Sequence, residues 1–327
     1  MKDDMTALRI HGGRIDLAAL HYPHAPRPWL DLSTGINPNP WVPAAPLIVD
    51  PSALPSPACI LELEVAAADA FGTCADRVMA LPGSEIGLRS LASLGLPSPA
   101  RFVVPSYGTH ASALPDATPI ARSAIDTVID GTLLLANPNN PDGHLDKPER
   151  LLAIARQGAS LIVDEAFADI VPEGSIVPHL QPDDPVIVLR SFGKMYGLAG
   201  LRLGFMIASP DRIAAMRNRL GSWPVSAHAI AYGLAAYRDS DWLADARQSI
   251  AARATRLDAI LLRHGLEATG DCPLFRLVDT DASAVFERLA RAGILTRPFD
   301  YAPRWLRIGV PADDAAFDRL DHALARG

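Results

Sequence analysis

Residues 59–208 alternate short, nearly continuous apolar runs with stretches in which apolar side chains recur every three or four positions. The runs are 77–81, 101–104, 132–136, 160–163, 185–189 and 203–208, each bounded by turn-forming residues. Runs of this kind are too short for helices and show no polar alternation, as expected of strands buried on both faces. The stretches 61–71, 85–94 and 148–156 read as the helices that cover those faces. Together they predict an α/β domain with a mostly parallel sheet sandwiched by helices. A loop, not a crossover helix, separates the last two runs, so one strand is expected to be antiparallel.

The pattern breaks on either side. Ten prolines lie between Tyr22 and Ala58, which rules out a regular helix or a central strand there. The embedded segment 29–37, Trp-Leu-Asp-Leu-Ser-Thr-Gly-Ile-Asn, is too apolar for a solvated linker and reads as an ordered arm packed across another surface. After Trp223-Pro224, alanine, leucine and arginine dominate 227–262, which predicts one long helix or a pair. A strand at 274–278, a helix at 283–292, a strand at 306–310 and a terminal helix complete a smaller α+β domain. The expected division is an arm at 1–44, a large domain at 45–224 and a small C-terminal domain at 225–327.

Composition narrows the classes of function. With 49% hydrophobic residues among 327, the chain can bury a core. A net charge of -7 argues against a nucleic-acid coat, whose phosphate contacts need a basic face. Three widely spaced cysteines, Cys59, Cys74 and Cys272, have no metal-ligand spacing, so no metal is expected and reduced thiols are. The start lacks the apolar core of a signal peptide, and no stretch approaches 18 uninterrupted apolar residues, so neither secretion nor membrane spanning is expected and the location is cytoplasmic. Only three of the 30 basic residues are lysines: Lys2, Lys147 and Lys194. Chemistry that needs a primary amine therefore has few candidates.

In open α/β sheets, ligands bind beyond the carboxyl ends of the strands. Those ends carry Leu81-Pro-Gly-Ser84-Glu85, Val104-Pro-Ser-Tyr107-Gly, Ala136-Asn-Pro-Asn-Asn140-Pro-Asp-Gly, Ile162-Val-Asp164-Glu-Ala-Phe167, Leu189-Arg-Ser191-Phe-Gly-Lys194 and Leu201-Arg202. Each has a plainer reading alone: a helix cap, a packed ring, a turn or a loop acid. Their occurrence at successive strand ends is what argues for a site.

This constellation resembles the pyridoxal-phosphate enzymes of the aspartate-aminotransferase fold (fold type I). Ser191-Phe-Gly-Lys194-Met-Tyr-Gly-Leu-Ala-Gly200-Leu-Arg202 is similar to the class I signature around the Schiff-base lysine. The resemblance implies a set of roles. Lys194 would capture the cofactor aldehyde. Asp164 would pair with the pyridinium nitrogen, Asn140 would donate to the phenolic oxygen, and Tyr107 would stack on the ring. Ser84, Glu85, Ser191 and Arg202 would hold the cofactor phosphate, the first two through backbone amides. Lys194, Asp164 and Tyr107 form the catalytic set. Arg307, in Trp305-Leu-Arg-Ile, matches the arginine that binds the substrate α-carboxylate.

The N-terminal third resembles the threonine-phosphate decarboxylases of cobalamin biosynthesis. The matching residues are His11-Gly12-Gly13 and Trp29-Leu-Asp-Leu-Ser33-Thr-Gly35-Ile-Asn37-Pro. By that likeness His11, Gly12, Gly35, Asn140, Arg297 and Arg307 bind the substrate, with His11 and Arg297 on its phosphate. The implied reaction decarboxylates L-threonine O-3-phosphate, in a protein that is usually a homodimer. Two positions depart from relatives that transaminate histidinol phosphate: Phe167 and Leu54 stand where those carry tyrosines. Each lost donor weakens cofactor grip by about 1 kcal/mol. An aminotransferase acting on a phosphorylated substrate, and a non-catalytic pyridoxal-binding protein, stay open as alternatives.

Overall fold

The computed structural model describes Leu8 and residues 12–325. The chain forms two compact units. The larger comprises Pro40–Asn140 and His144–Ala244; the smaller comprises the described residues before Pro40, Pro141–Gly143 and those from Asp245 onward.

Apart from β1 (Leu30–Asp31), which belongs to the smaller unit, the first eight strands build the larger one. These are β2 (Val78–Leu81), β3 (Ala100–Val104), β4 (Thr118–Ala121), β5 (Thr132–Ala136), β6 (Ser160–Asp164), β7 (Val186–Ser191) and β8 (Gly204–Ile207). They form one sheet in the order β2-β8-β7-β6-β5-β3-β4. All neighbours are parallel except β8, which runs antiparallel to both β2 and β7. The segment between β7 and β8 holds only the short helix Phe192–Met195 and the turn Ala199–Leu201, as the sequence predicted for a loop connection. Every position of β2, β5, β6 and β8 is buried, so their unbroken apolar runs follow from cover on both faces. β4 was not foreseen. Its sequence Thr-Pro-Ile-Ala is short and largely exposed, and Pro119 is tolerated because the strand lies on the sheet edge.

The parallel strands all end along one edge of the sheet. Val104, Ala136, Asp164 and Ser191 close β3, β5, β6 and β7. Gly204 stands in register with both Leu81 and Ser191, which puts the loop after β2 at the same edge.

The smaller unit contains the four-stranded antiparallel sheet β12-β13-β10-β9, formed by β9 (Ala268–Thr269), β10 (Phe275–Asp279), β12 (Arg297–Phe299) and β13 (Ala302–Gly309). Its helices include Ala282–Arg291 and Asp314–Leu324. β1 pairs in parallel with β11 (Ile294–Leu295). The proline-rich segment is thus ordered, as expected, although only two of its residues form a strand. Leu32 N donates to Leu295 O at 2.7 Å, and Gly309 N donates to Leu32 O at 2.7 Å. Arg319 clasps the same segment by donating to the carbonyls of Pro28 at 2.7 Å and Pro26 at 3.1 Å.

The units divide the chain at Asn39 and Ala244, not at 44 and 224. The described residues before Pro40 group with the C-terminal part, which β1 joins through β11. The helix Ala227–Tyr237 belongs to the larger unit because Gly233 permits close packing: a Cβ there would come 2.5 Å from Leu203 Cδ2 and 2.9 Å from Leu63 Cδ1. The predicted stretch 227–262 is a pair, Ala227–Tyr237 and the 24-residue Ser240–Arg263. Among the described residues no helix is long and apolar enough to cross a membrane.

Arg319 also donates to Ala292 O and Gly293 O, so one side chain satisfies four carbonyls. Arg319→Ala should lower stability by about 1–3 kcal/mol and speed proteolysis before Pro40. Urea unfolding and limited digestion measure the two effects; unchanged values for both would show that the clasp is dispensable.

Candidate active site

The loops along the common strand edge enclose a cavity within the larger unit. It is lined by Ser84, Glu85, Tyr107, Asn140, Asp164, Ser191, Lys194 and Arg202, together with Gly83 and Phe167 among others. Every residue expected to hold the cofactor therefore lines one cavity.

Backbone geometry brings the anion-binding groups together. The helix Ser84–Ser90 opens directly after Gly83, whose φ is 88°. That conformation favours glycine, and a Cβ here would approach Arg202 Nη2 to 2.7 Å. Arg202 itself adopts a left-handed backbone, φ 54°, between the turn Ala199–Leu201 and β8. For a non-glycine residue that costs about 1–2 kcal/mol, a strain of the kind that collects at functional sites. Its Nη1 donates to Ala199 O at 3.2 Å, which helps to fix the guanidinium. Glu85 turns its carboxylate to Arg89 at 2.7 Å and accepts from Thr109 Oγ1 at 3.0 Å.

Asp164, the last residue of β6, is buried. Its Oδ1 accepts from Ala166 N at 3.2 Å, and its Oδ2 lies 3.1 Å from His110 Nε2. Lys194 projects from the short helix after β7, with Nζ 5.6 Å from the Phe167 ring centroid. Phe167 thus faces the amine of Lys194. Burial, reinforced by the Glu85 carboxylate, pushes the Tyr107 hydroxyl above its ordinary pKa, so the ring stays neutral. Asn140 is held by the turn around it. Asn139 Nδ2 donates to Pro105 O at 3.0 Å, and Asn137 Nδ2 donates to Asp146 O and Gly174 O, both at 3.0 Å.

Of the expected substrate residues, Gly12, Gly35, Arg297 and Arg307 fall in the smaller unit, and the structure gathers several of them. Arg297 on β12 and Arg307 on β13 are directly opposed in the antiparallel register. Arg307 Nη2 donates to Ser33 O at 2.7 Å, and its guanidinium carbon lies 4.9 Å from the Phe275 ring centroid. Gly13 N donates to Ser33 Oγ at 2.8 Å. Gly12 packs so tightly on Ser33 that a Cβ would fall 2.4 Å from Ser33 O. Gly35 is buried in the same segment. His11 lies outside the described residues. Burial, then the like charge of Arg297, pulls Arg307 down to about 10. Two guanidinium groups that raise each other's cost of burial favour an anion between or beside them.

His110 was not anticipated. It is fully buried and its Nε2 faces the Asp164 carboxylate. The available signal was its place in the turn after β3, three residues beyond Tyr107, where the helix His110–Ala113 begins.

Residues 121–324 match the family described as aminotransferase class I and II. A threonine-phosphate decarboxylase of Sinorhizobium sp. is 41% identical, over 98% of this chain and 99% of its own length. Another, from Pseudomonas aeruginosa, is 39% identical over 96% of each. The crystal structure of histidinol-phosphate aminotransferase from Sinorhizobium meliloti in complex with pyridoxal-5'-phosphate is similar with a TM-score of 0.74. That likeness, at 27% identity, covers 85% of this chain and 83% of that one.

The opposed arginines make a direct expectation. Inorganic phosphate should raise the melting temperature of the protein by an amount that grows with the logarithm of its concentration. Arg307→Met, which removes one buried charge, should keep or raise the phosphate-free melting temperature and lose most of the phosphate gain. An equal phosphate gain in both proteins would rule out an anion site at this pair.

Proposed function

Because this chain belongs to the aminotransferase class I and II family, we propose that it binds pyridoxal 5'-phosphate and decarboxylates L-threonine O-3-phosphate. The product is (R)-1-aminopropan-2-ol O-phosphate, used in cobalamin biosynthesis. The reading is carried by likeness to two threonine-phosphate decarboxylases along essentially the whole chain, and the residues of both units are consistent with it.

The cavity of the larger unit fits the cofactor by its donor set. Ser84, Ser191 and Arg202 offer two hydroxyls and a guanidinium beside a helix opening, where an anion is favoured. Gly83 keeps that space clear of a side chain. Tyr107 offers an aromatic face, Asn140 an amide for the phenolic oxygen, and Asp164 a buried carboxylate for the ring nitrogen. Among the described residues Lys194 is the one lysine lining the cavity. Pyridoxal phosphate supplies, when bound, an aldehyde that an amine can capture and a ring that accepts electrons from the substrate α-carbon.

The chain's own groups do the rest. Asp164 would keep the ring nitrogen protonated, with His110 holding Asp164 in place. Tyr107 would offer its face to the ring. Arg307 would bind and orient the substrate carboxylate, and Arg297 and the HGG segment would bind the substrate phosphate. Lys194 would supply the proton that replaces the departing carbon dioxide on the α-carbon.

The same reading includes a cytoplasmic homodimer. Cys59, Cys74 and Cys272 are all free thiols. Val42, Ile48, Leu54 and Trp223 are exposed apolar side chains, with Ile48 fully so, and a second copy of the chain would bury them.

Purified protein should be yellow, and Lys194→Ala should lose the visible band even with cofactor added. Incubation with threonine phosphate should release carbon dioxide at a rate at least about 10³-fold above Lys194→Ala, the order by which losing a nucleophilic group cuts turnover. Consumption of 2-oxoglutarate with formation of glutamate, and no carbon dioxide, would replace the lyase by an aminotransferase. Sedimentation should give twice the chain mass of 34.9 kDa; a monomer would remove the dimer from the reading.

A further inference from the structure

Directly next in sequence to Asp164 and Ser191 stand Glu165 and Arg190, and neither lines the cavity. Their side chains meet in a dry pocket of the larger unit. Arg190 Nε lies 2.9 Å from Glu165 Oε2, with the two side chains 5% and 0% exposed. Glu165 Oε1 accepts from Ile176 N and Oε2 from Ser175 Oγ, both at 2.8 Å. Arg190 donates Nη2 to Ser175 Oγ at 2.7 Å and Nη1 to Asp169 Oδ1. Its guanidinium carbon sits 4.8 Å from the centroid of Phe71, a ring packed edge-on against Phe205 and Tyr237.

We infer that the Glu165–Arg190 ion pair is a positioning device for the cofactor, resting on the function proposed above. β6 and β7 are adjacent and parallel, and the pair ties their ends together one residue beyond Asp164 and one residue before Ser191. Consecutive side chains along an extended strand point to opposite faces. Fixing Glu165 and Arg190 on the dry side therefore fixes the rotation that delivers Asp164 and Ser191 to the cavity, and with Ser191 the helix that carries Lys194. Stability alone is a poor reason to keep such a pair, since apolar side chains of similar volume commonly serve as well. What they cannot supply is the directional link made through Ser175, whose hydroxyl accepts from Arg190 and donates to Glu165. Glu165 and Arg190 do not reach the cavity and are positioning residues, not catalytic ones.

The test compares wild type, Glu165→Gln, Arg190→Lys and a control, Asp184→Asn. Asp184 is also a nearly buried carboxylate paired with an arginine, Arg156, but it precedes the opposite end of β7. Three quantities are measured: the dissociation constant of pyridoxal phosphate by absorbance titration, the pH midpoint of the visible band, and the melting temperature of the cofactor-free protein. Glu165→Gln and Arg190→Lys should weaken cofactor binding by about tenfold or more, the scale on which groups one layer behind a binding site act. They should also shift the pH midpoint. Asp184→Asn should lower only the melting temperature. Should one of the two clasp variants fail to fold, the other carries the same comparison. Wild-type affinity and pH midpoint in the clasp variants, whatever their melting temperatures, would overturn the inference while leaving the proposed function intact. A wild type that takes up no pyridoxal phosphate would overturn both.

Discussion

Gly204 is the position on which the larger unit's chemistry turns. Its backbone pairs with Leu81 on one side and Ser191 on the other. A Cβ there would come 2.4 Å from Ser84 N and 2.8 Å from Arg190 O, so the loop after β2 can fold down onto β8 only because that side chain is missing. The close approach draws Ser84, Ser191 and Arg202 into one cavity, although they lie in three separate segments of the chain. The antiparallel direction of β8 matters equally. It starts at the edge where β7 ends, so the residue two before it, Arg202, returns to the site that Ser191 and Lys194 have just left.

The runs of buried strands were legible because complete burial removes any alternation from the sequence, and the residues that line the cavity were legible because they sit at the ends of those runs. β4 escaped notice for the opposite reason: an exposed edge strand containing Pro119 has the composition of a loop. The domain boundaries were displaced because composition tracks helix content, whereas membership of a unit depends on close packing such as that at Gly233. Glu165 and Arg190 were invisible as functional candidates since nothing in their local sequence announces a partner, and His110 was marked only by its place in the turn after β3. Each acquires meaning from an atom supplied by another strand end.

The preference for arginine over lysine becomes intelligible in this light. Arg190 serves Glu165, Asp169 and Ser175 at once, and Arg319 serves four carbonyls. A planar fork can satisfy several acceptors in fixed directions, which a single ammonium point charge does less well. Lys194 stands where the proposed chemistry calls for a primary amine.

The pairing of β1 with β11 joins residues 30–31 to 294–295, and Arg319 reaches back to Pro26 and Pro28. During synthesis the partners of that segment are made after every strand of the larger unit. At about 5–20 residues per second, the segment waits roughly ten seconds to a minute for them. The strands of the larger unit, the last of which ends at Ile207, are complete before that interval closes, so the ribosome imposes an order in which the cofactor cavity can form first and the arginine pair is completed later.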